Sequence, residues 1–187
     1  MPATDAAATQ DASPKVALNP RLEGYFREYD ETHRHPMNRL THKVAIPLIV
    51  FHVIAMCGWL PLFTVGDSPF GVVTLGHLVV LATTVFYLPL QPLYAAIMLV
   101  AATGALLLSQ QMEVTLGVQV ARATILGLAV FGWVVQLAGH AVWEKKSPAF
   151  ARNAVQALVG PIYFLALLLG HWRAPAWQDP RAATASK

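Results

Sequence analysis

The feature that constrains this chain most is a long stretch that carries almost no charge. Between Val44 and Ala121 the only charged side chains are those of Asp67 and Glu113. A water-soluble domain needs charge on its exposed faces, and charged residues normally make up about a quarter of a globular chain. Here they make up 12%, while hydrophobic residues make up 56%. The stretch therefore predicts a chain that is surrounded by lipid rather than by water.

Turn residues and polar breaks divide the apolar residues into five segments, namely 44–65, 70–88, 93–109, 123–143 and 154–170. A helix needs about 20 residues to cross the hydrocarbon core of a bilayer, with roughly 17 as a lower limit. The third and fifth segments are therefore marginal, and Pro161 favours a kinked or re-entrant helix within the fifth. We predict an all-α fold, a polytopic membrane helical bundle with four to five spans.

The two ends of the chain differ from this apolar core. Residues 1–14 are rich in Ala, Thr, Asp and Ser, and they lack the basic start and apolar centre of a signal peptide. From Asn19 to Lys43 the chain is polar, charged and aromatic, which predicts an N-terminal interfacial helix beginning near Pro20. The predicted organisation is a disordered tail (1–18), one membrane-embedded domain (19–171) and a C-terminal tail (172–187).

Basic residues near the ends of the spans predict an orientation. Arg39 and Lys43 precede the first span, and Lys145 and Arg152 follow the fourth. An even number of spans places both clusters on one side, and the positive-inside tendency makes that side cytoplasmic. We expect an integral protein of a bacterial inner membrane. The basic residues are not interleaved with aromatic ones as on a nucleic-acid surface, so we expect no nucleic-acid partner.

Histidines gather at the same predicted membrane face, although they lie far apart in the sequence. Imidazole nitrogen suits Fe, Zn, Cu and Ni, and iron used for oxygen chemistry takes about three protein ligands and leaves positions open. We predict such a ligand set in His33, His42 and His140, with Glu144 as a candidate carboxylate ligand. Histidine spacing alone does not name the metal.

Helical periodicity does not decide which residue near Pro36 belongs to the site. On an unbroken helix His35, Asn38 and His42 share one face. Proline disfavours a continuous helix, however, and it drives the preceding residue toward an extended conformation. A break at Pro36 would let His33 converge with His42 instead.

A second polar pattern lies near the end of the fourth apolar segment. Gln136, His140 and Glu144 recur at i, i+4 and i+8, so they share one helix face. Because a polar stripe is costly toward lipid, this face should point into the protein. We predict that Asn38 and Gln136 orient the metal ligands or a substrate carboxylate. Lone histidines inside apolar spans are more often hydrogen-bonded core residues, and His52 and His77 are of this kind.

Two blocks of residues carry a resemblance to a known family. They read Tyr29-x3-His33-x4-Asn38-x3-His42 followed by Ile46-Pro47, and Gln136-x2-Gly139-His140-x3-Glu144-Lys145-Lys146-x-Pro148-Ala149. In this order, around apolar spans, they resemble the membrane-bound 2-hydroxy fatty acid dioxygenases, which comprise fungal enzymes of phytosphingosine breakdown and bacterial relatives. The resemblance extends over roughly residues 22–170.

The resemblance implies an Fe²⁺-dependent α-oxidation, in which a 2-hydroxy fatty acid and O₂ yield CO₂ and a fatty acid one carbon shorter. The histidines that such enzymes need map onto His33, His42 and His140, which favours His33 over His35. The acyl tail would stay among the membrane lipids while the carboxylate and hydroxyl reach the membrane face. The expected substrate-binding residues are Tyr29, Arg39, Lys145 and Arg152, the basic ones meeting the carboxylate.

Two other classes of function fit the residues without the resemblance. A haem-binding or electron-transfer protein would pair histidines within the spans, for example His52 with His77 or His140. A small transporter would line a path with the polar stripe, and His33→Ala would leave its metal content unchanged.

Overall fold

Six α-helices make up most of the part of the chain that the computed structural model describes, residues 16–66, 71–151 and 153–177. They are α1 (Pro20–Asp30), α2 (Pro36–Gly58), α3 (Leu75–Tyr87), α4 (Pro92–Leu116), α5 (Val118–Ala138) and α6 (Val155–Leu169). Strands β1 (Pro61–Thr64) and β2 (Val72–Thr74) form an antiparallel pair between α2 and α3. A π-helix, Gly139–Glu144, continues α5, and a short 3-10 turn, Ala149–Ala151, precedes α6. Residues 1–15 and 178–187, which include most of the predicted tails, lie outside the described residues.

Among the described residues, three helical segments are long and apolar enough to cross a bilayer: α2, α4 and the continuous segment Val118–Glu144. Their outward faces carry large apolar side chains, such as Val100 at 74% and Val114 at 81% exposure. Surfaces of this kind need a lipid environment. The all-α membrane bundle is thus confirmed. The helices α3, with 13 residues, and α6, with 15, are shorter than a full span, so the count of four to five spans stays a prediction.

The boundaries of the spans differ from the predicted ones. The helix of the first predicted span, α2, begins at Pro36 rather than at residue 44, and it ends at Gly58, shortly before the residues that pair as β1 and β2. The polar stretch after residue 109 does not interrupt α4, which continues to Leu116. Its charge is neutralised locally, since Arg122 Nε donates to Glu113 Oε1 at 2.8 Å across the turn. The marginal third segment is therefore a 25-residue helix.

The helix α3 connects the two ends of the bundle, with its first turn against the end of α2 and its last turn against α6. A Cβ atom on Gly76, in the first turn of α3, would lie 3.0 Å from the Gly58 backbone nitrogen, so these helices touch backbone to backbone. At the end of α3 the Tyr87 hydroxyl donates to the Leu158 carbonyl of α6 at 2.7 Å. The last turn of α3 therefore lies beside α6.

The helices α1 and α6 pack against each other at the end of the bundle where α3 terminates. Leu22 and Phe26 of α1 are fully buried, and Phe26 meets the ring of Tyr163 edge to face at 5.4 Å. The Asp30 carboxylate accepts hydrogen bonds from the Tyr163 hydroxyl and from Trp172 Nε1. The predicted N-terminal helix thus ends at Asp30, and its apolar face is buried against α6.

Candidate metal centre

Three histidines from three different elements meet inside the bundle, at the end that contains α1. His33 lies in the loop after α1, His42 in the second turn of α2, and His140 in the π-helix that continues α5. One ring nitrogen of each lies within 4.8 Å of those of the other two. All three side chains are at most 2% exposed. Within the described ranges this is the group of residues that could hold a metal ion.

Between the two arrangements that the sequence left open, the structure has the one with a break at Pro36, which brings His33 rather than His35 beside His42 and His140. Proline has no backbone N–H and is tolerated at the first position of a helix, where no bond to the preceding turn is needed. The backbone of His35 is extended (ψ 132°), and its Nδ1 accepts a hydrogen bond from the Met37 amide. His35 therefore caps α2, and its ring packs against Trp177 at 4.9 Å rather than against the other histidines.

The hydrogen bonds of two rings determine which nitrogen carries the proton. His33 Nδ1–H donates to the Tyr29 carbonyl, and His42 Nδ1–H donates to the Asn38 carbonyl, each at 2.8 Å. A neutral imidazole has one N–H, so the Nε2 atoms of His33 and His42 are left with lone pairs. His33 Nε2 is buried and has no hydrogen-bond partner among the described residues. His42 Nε2 faces His140 Nε2 at 3.0 Å.

This donor set fits a divalent transition metal. Two imidazole nitrogens that each lie about 2.1 Å from one ion are about 3 Å apart when they subtend a right angle at it. The observed His42–His140 separation of 3.0 Å agrees with that geometry. Ligating histidines characteristically donate their other N–H to a carbonyl or carboxylate. His33 and His42 do so.

Burial keeps His33 in the form that binds a metal. Removal from solvent lowers the pKa of His33 well below its usual value. Positive charge on His42 would lower it further, while the hydrogen bond to the Tyr29 carbonyl acts in the opposite direction. The ring is therefore neutral at neutral pH and presents a lone pair.

Glu144 does not lie on the helix face predicted for Gln136 and His140, and it instead supports the loop that carries His33. The π-helix has wider i→i+5 turns, which change the register that an uninterrupted α-helix would give. The Glu144 carboxylate accepts hydrogen bonds from the His35 amide at 2.7 Å and from Asn38 Nδ2 at 3.3 Å. Asn38 Nδ2 also donates to the Thr32 carbonyl at 3.3 Å. Glu144 and Asn38 thus link the π-helix, the loop and the start of α2.

A cavity of about 90 Å³ adjoins the histidines. Its walls come from α1, α2, α5, α6 and their connections, and they are formed by Tyr29, His33, Ile46, Ile49, Val50, Trp133, Gln136, His140, Phe150, Gln156, Ala157, Gly160 and Pro161. Gln136 points inward as its helix face predicted, and it is 5% exposed. Gln156 was not among the residues predicted from the sequence, although it is a lone amide side chain within the apolar segment 154–170.

Arg39 and Lys145, two of the three basic residues expected to bind substrate, do not line this cavity. The Arg39 guanidinium donates to the carbonyls of Arg34 and Pro175, at 2.7 and 3.3 Å. Lys145 is exposed and ends the π-helix in a left-handed conformation (φ 52°). Arg152 lies outside the described residues. A carboxylate-binding role for these residues stays a prediction.

Tyr29, the remaining residue expected to bind substrate, does line the cavity, with its ring stacked on that of His33 at 3.8 Å.

The two histidines within the apolar spans, His52 and His77, are held elsewhere. His52 Nε2 accepts a hydrogen bond from Trp133 Nε1 at 3.2 Å, and His77 Nδ1 accepts one from the Thr74 amide at 3.1 Å. Neither ring joins the three-histidine group.

The fold and this site define a helical membrane protein with a buried three-histidine centre beside a largely apolar cavity. Residues 20–172 match the family described as "2-hydroxy-palmitic acid dioxygenase Mpo1-like", and the chain belongs to that family. It is 29% identical over 142 residues to the 2-hydroxy-palmitic acid dioxygenase MPO1 of Saccharomyces cerevisiae, a match that covers 76% of this chain and 74% of the yeast protein. No solved structure matches the chain.

Proposed function

We propose that this protein is an Fe²⁺-dependent dioxygenase that shortens 2-hydroxy fatty acids by one carbon. The reaction balances as 2-hydroxy acid plus O₂ giving the shortened acid, CO₂ and water, so the C1–C2 bond breaks and the C2 carbon becomes the new carboxyl. The observation that carries the proposal is the meeting of His33, His42 and His140 beside a cavity suited to an acyl headgroup. The yeast relative's name supports the substrate class.

The chain's own residues would hold the metal, orient the acid and exclude water. His33, His42 and His140 would hold Fe²⁺ through three ring nitrogens, and Asn38 and Glu144 would keep the ligand loop in place. Iron bound there would supply the redox chemistry that couples O₂ reduction to cleavage of the carbon–carbon bond. The amide of Gln136 would orient the substrate headgroup from the cavity wall.

The acyl tail fits the position of the cavity. Ile46, Ile49 and Val50 of α2 line it on one side, so an alkyl chain that leaves the headgroup meets apolar side chains. These residues lie within a helix long enough to span a bilayer. The tail would continue into the lipid, while the headgroup would stay near the end of the bundle that we propose faces the cytoplasm across a bacterial inner membrane, a proposal that the positive-inside tendency supports.

Metal and product analysis of the full-length protein in detergent tests this function. Protein reconstituted anaerobically with Fe²⁺ is mixed with air and 2-hydroxyhexadecanoic acid labelled with carbon-13 at C1. We expect pentadecanoic acid and labelled CO₂ in equal amounts, and no shortening of hexadecanoic acid, which lacks the hydroxyl. Failure of the metal-loaded protein to shorten the hydroxy acid would contradict the proposal.

The haem alternative has a separate readout. It required histidines paired within the spans, but His52 accepts from Trp133 and His77 caps α3. A Soret absorption band in the protein as purified would support that class, and we expect none.

A further inference from the structure

Gln156 is a buried amide that its own fold leaves unsatisfied. The side chain, in the first turn of α6, is 1% exposed. Neither Oε1 nor Nε2 has a hydrogen-bond partner within the part of the chain that the structure describes. Buried polar groups are nearly always paired, since an unmade hydrogen bond costs free energy, and exceptions call for a functional explanation. Gln156 lines the cavity beside His33 and His140, so a bound molecule can supply the missing partners.

Gln136 contributes a second unsatisfied amide oxygen to the same cavity. Its Oε1 has no partner among the described residues, and the side chain comes from α5, whereas Gln156 comes from α6. The other polar side chains in the wall are those of Tyr29, His33, Trp133 and His140, and none of the lining residues is an Asp, Glu, Lys or Arg. The cavity therefore offers neutral hydrogen-bonding groups, and at least two of its acceptors need a donor.

A 2-hydroxy acid headgroup matches this set of groups. Its carboxylate oxygens only accept hydrogen bonds, so its 2-hydroxyl is the one group that can donate to an amide oxygen. We propose, building on the function above, that Gln156 recognises the headgroup: its Oε1 accepts from the 2-hydroxyl, and its Nε2 donates to a carboxylate oxygen. Gln156 is then the residue that distinguishes a 2-hydroxy acid from an ordinary fatty acid.

The physical basis of this selectivity is the state of the amide when the wrong acid binds. A fatty acid without the hydroxyl leaves Gln156 Oε1 buried and unpaired, and sites that hydrogen-bond a substrate hydroxyl reject analogues that lack it. An Arg or Lys at this position would hold both acids through the carboxylate alone and would discriminate less. The neutral amide is suited to recognising the hydroxyl.

Anaerobic binding to the Fe²⁺-reconstituted protein tests the proposal without turnover. Dissociation constants for 2-hydroxyhexadecanoic acid and hexadecanoic acid are measured by titration calorimetry on the wild type and on Gln156→Leu, which removes both polar atoms at similar size. We expect Gln156→Leu to weaken hydroxy-acid binding by about tenfold. Hexadecanoic acid binding should change less, because the lost contact from Nε2 to its carboxylate is offset by removal of the unpaired Oε1. Metal content should equal that of the wild type. The control, Gln119→Leu, changes an exposed glutamine on α5 and should bind like the wild type.

The outcomes separate this proposal from the proposed function. A wild type that turns over the hydroxy acid, together with an unchanged preference in Gln156→Leu, would overturn the role of Gln156 alone. A wild type that neither binds nor shortens the hydroxy acid would overturn both. Should Gln156→Leu not fold, Gln156→Asn keeps an amide but withdraws it by one methylene, and the same loss of preference is expected from it.

Discussion

His42 Nε2 and His140 Nε2 lie 3.0 Å apart, although 98 positions separate the two residues in the sequence. The first comes from the beginning of α2, and the second comes from the π-helix at the end of α5. No local spacing brings these atoms together, so the packing of α2 against the end of α5 creates the centre. Changes to a ligand, to this packing or to the groups that support it should therefore have separable effects.

Alanine at any of the three clustered histidines should abolish metal binding. His33→Ala, His42→Ala and His140→Ala each remove one of three nitrogen donors. Since groups that only support a ligand already contribute about 10- to 100-fold to metal affinity, loss of a ligand should exceed that. Elemental analysis should show metal falling to background. His77→Ala is the control, because His77 pairs with Thr74 at the other end of the bundle, and it should keep its metal. Full metal content in His42→Ala would refute the assignment.

Gly139 should be essential to the close approach of His140 to His42. A Cβ atom added there would collide with Thr41 Oγ1 and Asn38 Oδ1 on α2, and would lie 3.4 Å from His42 Cε1. Gly139→Ala should push the π-helix away from α2 and lower metal affinity at least as much as loss of a supporting group, about 10-fold.

The matched control is Gly127→Ala, also on the α5 segment, where a Cβ would have nothing within 4 Å. Its better helix propensity should leave stability unchanged or raise it by about 1 kcal/mol or less. Equal metal affinity in the two variants would show that the approach at Gly139 is not needed.

Glu144 should support the centre without ligating the metal. Its carboxylate accepts from the His35 amide and from Asn38 Nδ2. Glu144→Gln keeps one acceptor oxygen and should retain stoichiometric metal. Glu144→Ala removes the acceptor of the His35 amide and one of the two acceptors of Asn38 Nδ2. An unmade hydrogen bond costs about 1–3 kcal/mol where the donor is buried, so this variant should have a lower thermal midpoint and retain less metal. Loss of metal from Glu144→Gln, measured by elemental analysis at unchanged thermal midpoint, would instead make Glu144 a ligand.

The sequence was sufficient to predict those parts of the protein that depend on local rules. The lack of charge over residues 44–121 predicted the membrane bundle. The poor fit of proline to a helix interior indicated that a break at Pro36 would let His33 converge with His42, although periodicity left His35 as an alternative. The inward direction of Gln136 followed from the cost of turning an amide toward lipid. In each case the property belongs to one residue or one segment.

The parts that were not predicted depend on tertiary packing. The π-helix that takes Glu144 out of the Gln136–His140 line requires an extra residue in a turn, which regular periodicity does not anticipate. The hydrogen bond of Arg39 to the Pro175 carbonyl needs the segment after α6 to fold against the beginning of α2. Gln156 was not predicted because its significance comes from lining the same cavity as Gln136, which lies on a different helix.

Acid should destabilise the metal-free protein through His33. Burial lowers the pKa of His33 well below its usual value of about 6.5, so below that pH the unfolded chain takes up a proton that the folded chain does not. Above pH 6.5 the protonation of His33 does not change the free energy of unfolding. Below that pH it lowers the free energy of unfolding by up to about 1.4 kcal/mol for each pH unit, until the pH reaches the pKa of His33 in the folded state.

The thermal midpoint of the metal-free protein at neutral and at mildly acidic pH measures this effect. His33→Gln replaces the ring by a group that does not titrate, so its midpoint should fall less on acidification than that of the wild type. Identical pH dependence in the two proteins would mean that His33 keeps an ordinary pKa in the folded state.

The ring of Tyr29, rather than its hydroxyl, should matter for the metal. It stacks on His33 with the ring planes 3° from parallel, while the Tyr29 carbonyl accepts from His33 Nδ1. Tyr29→Phe keeps both contacts and should retain metal and turnover. Tyr29→Leu removes the stacked ring, which is worth about 0.5–1.5 kcal/mol, and should lower metal affinity by up to about tenfold. The comparison also tests the sequence-based expectation that Tyr29 binds substrate: if Tyr29→Phe keeps its metal but loses turnover, the hydroxyl meets the substrate, and stacking is not its main contribution.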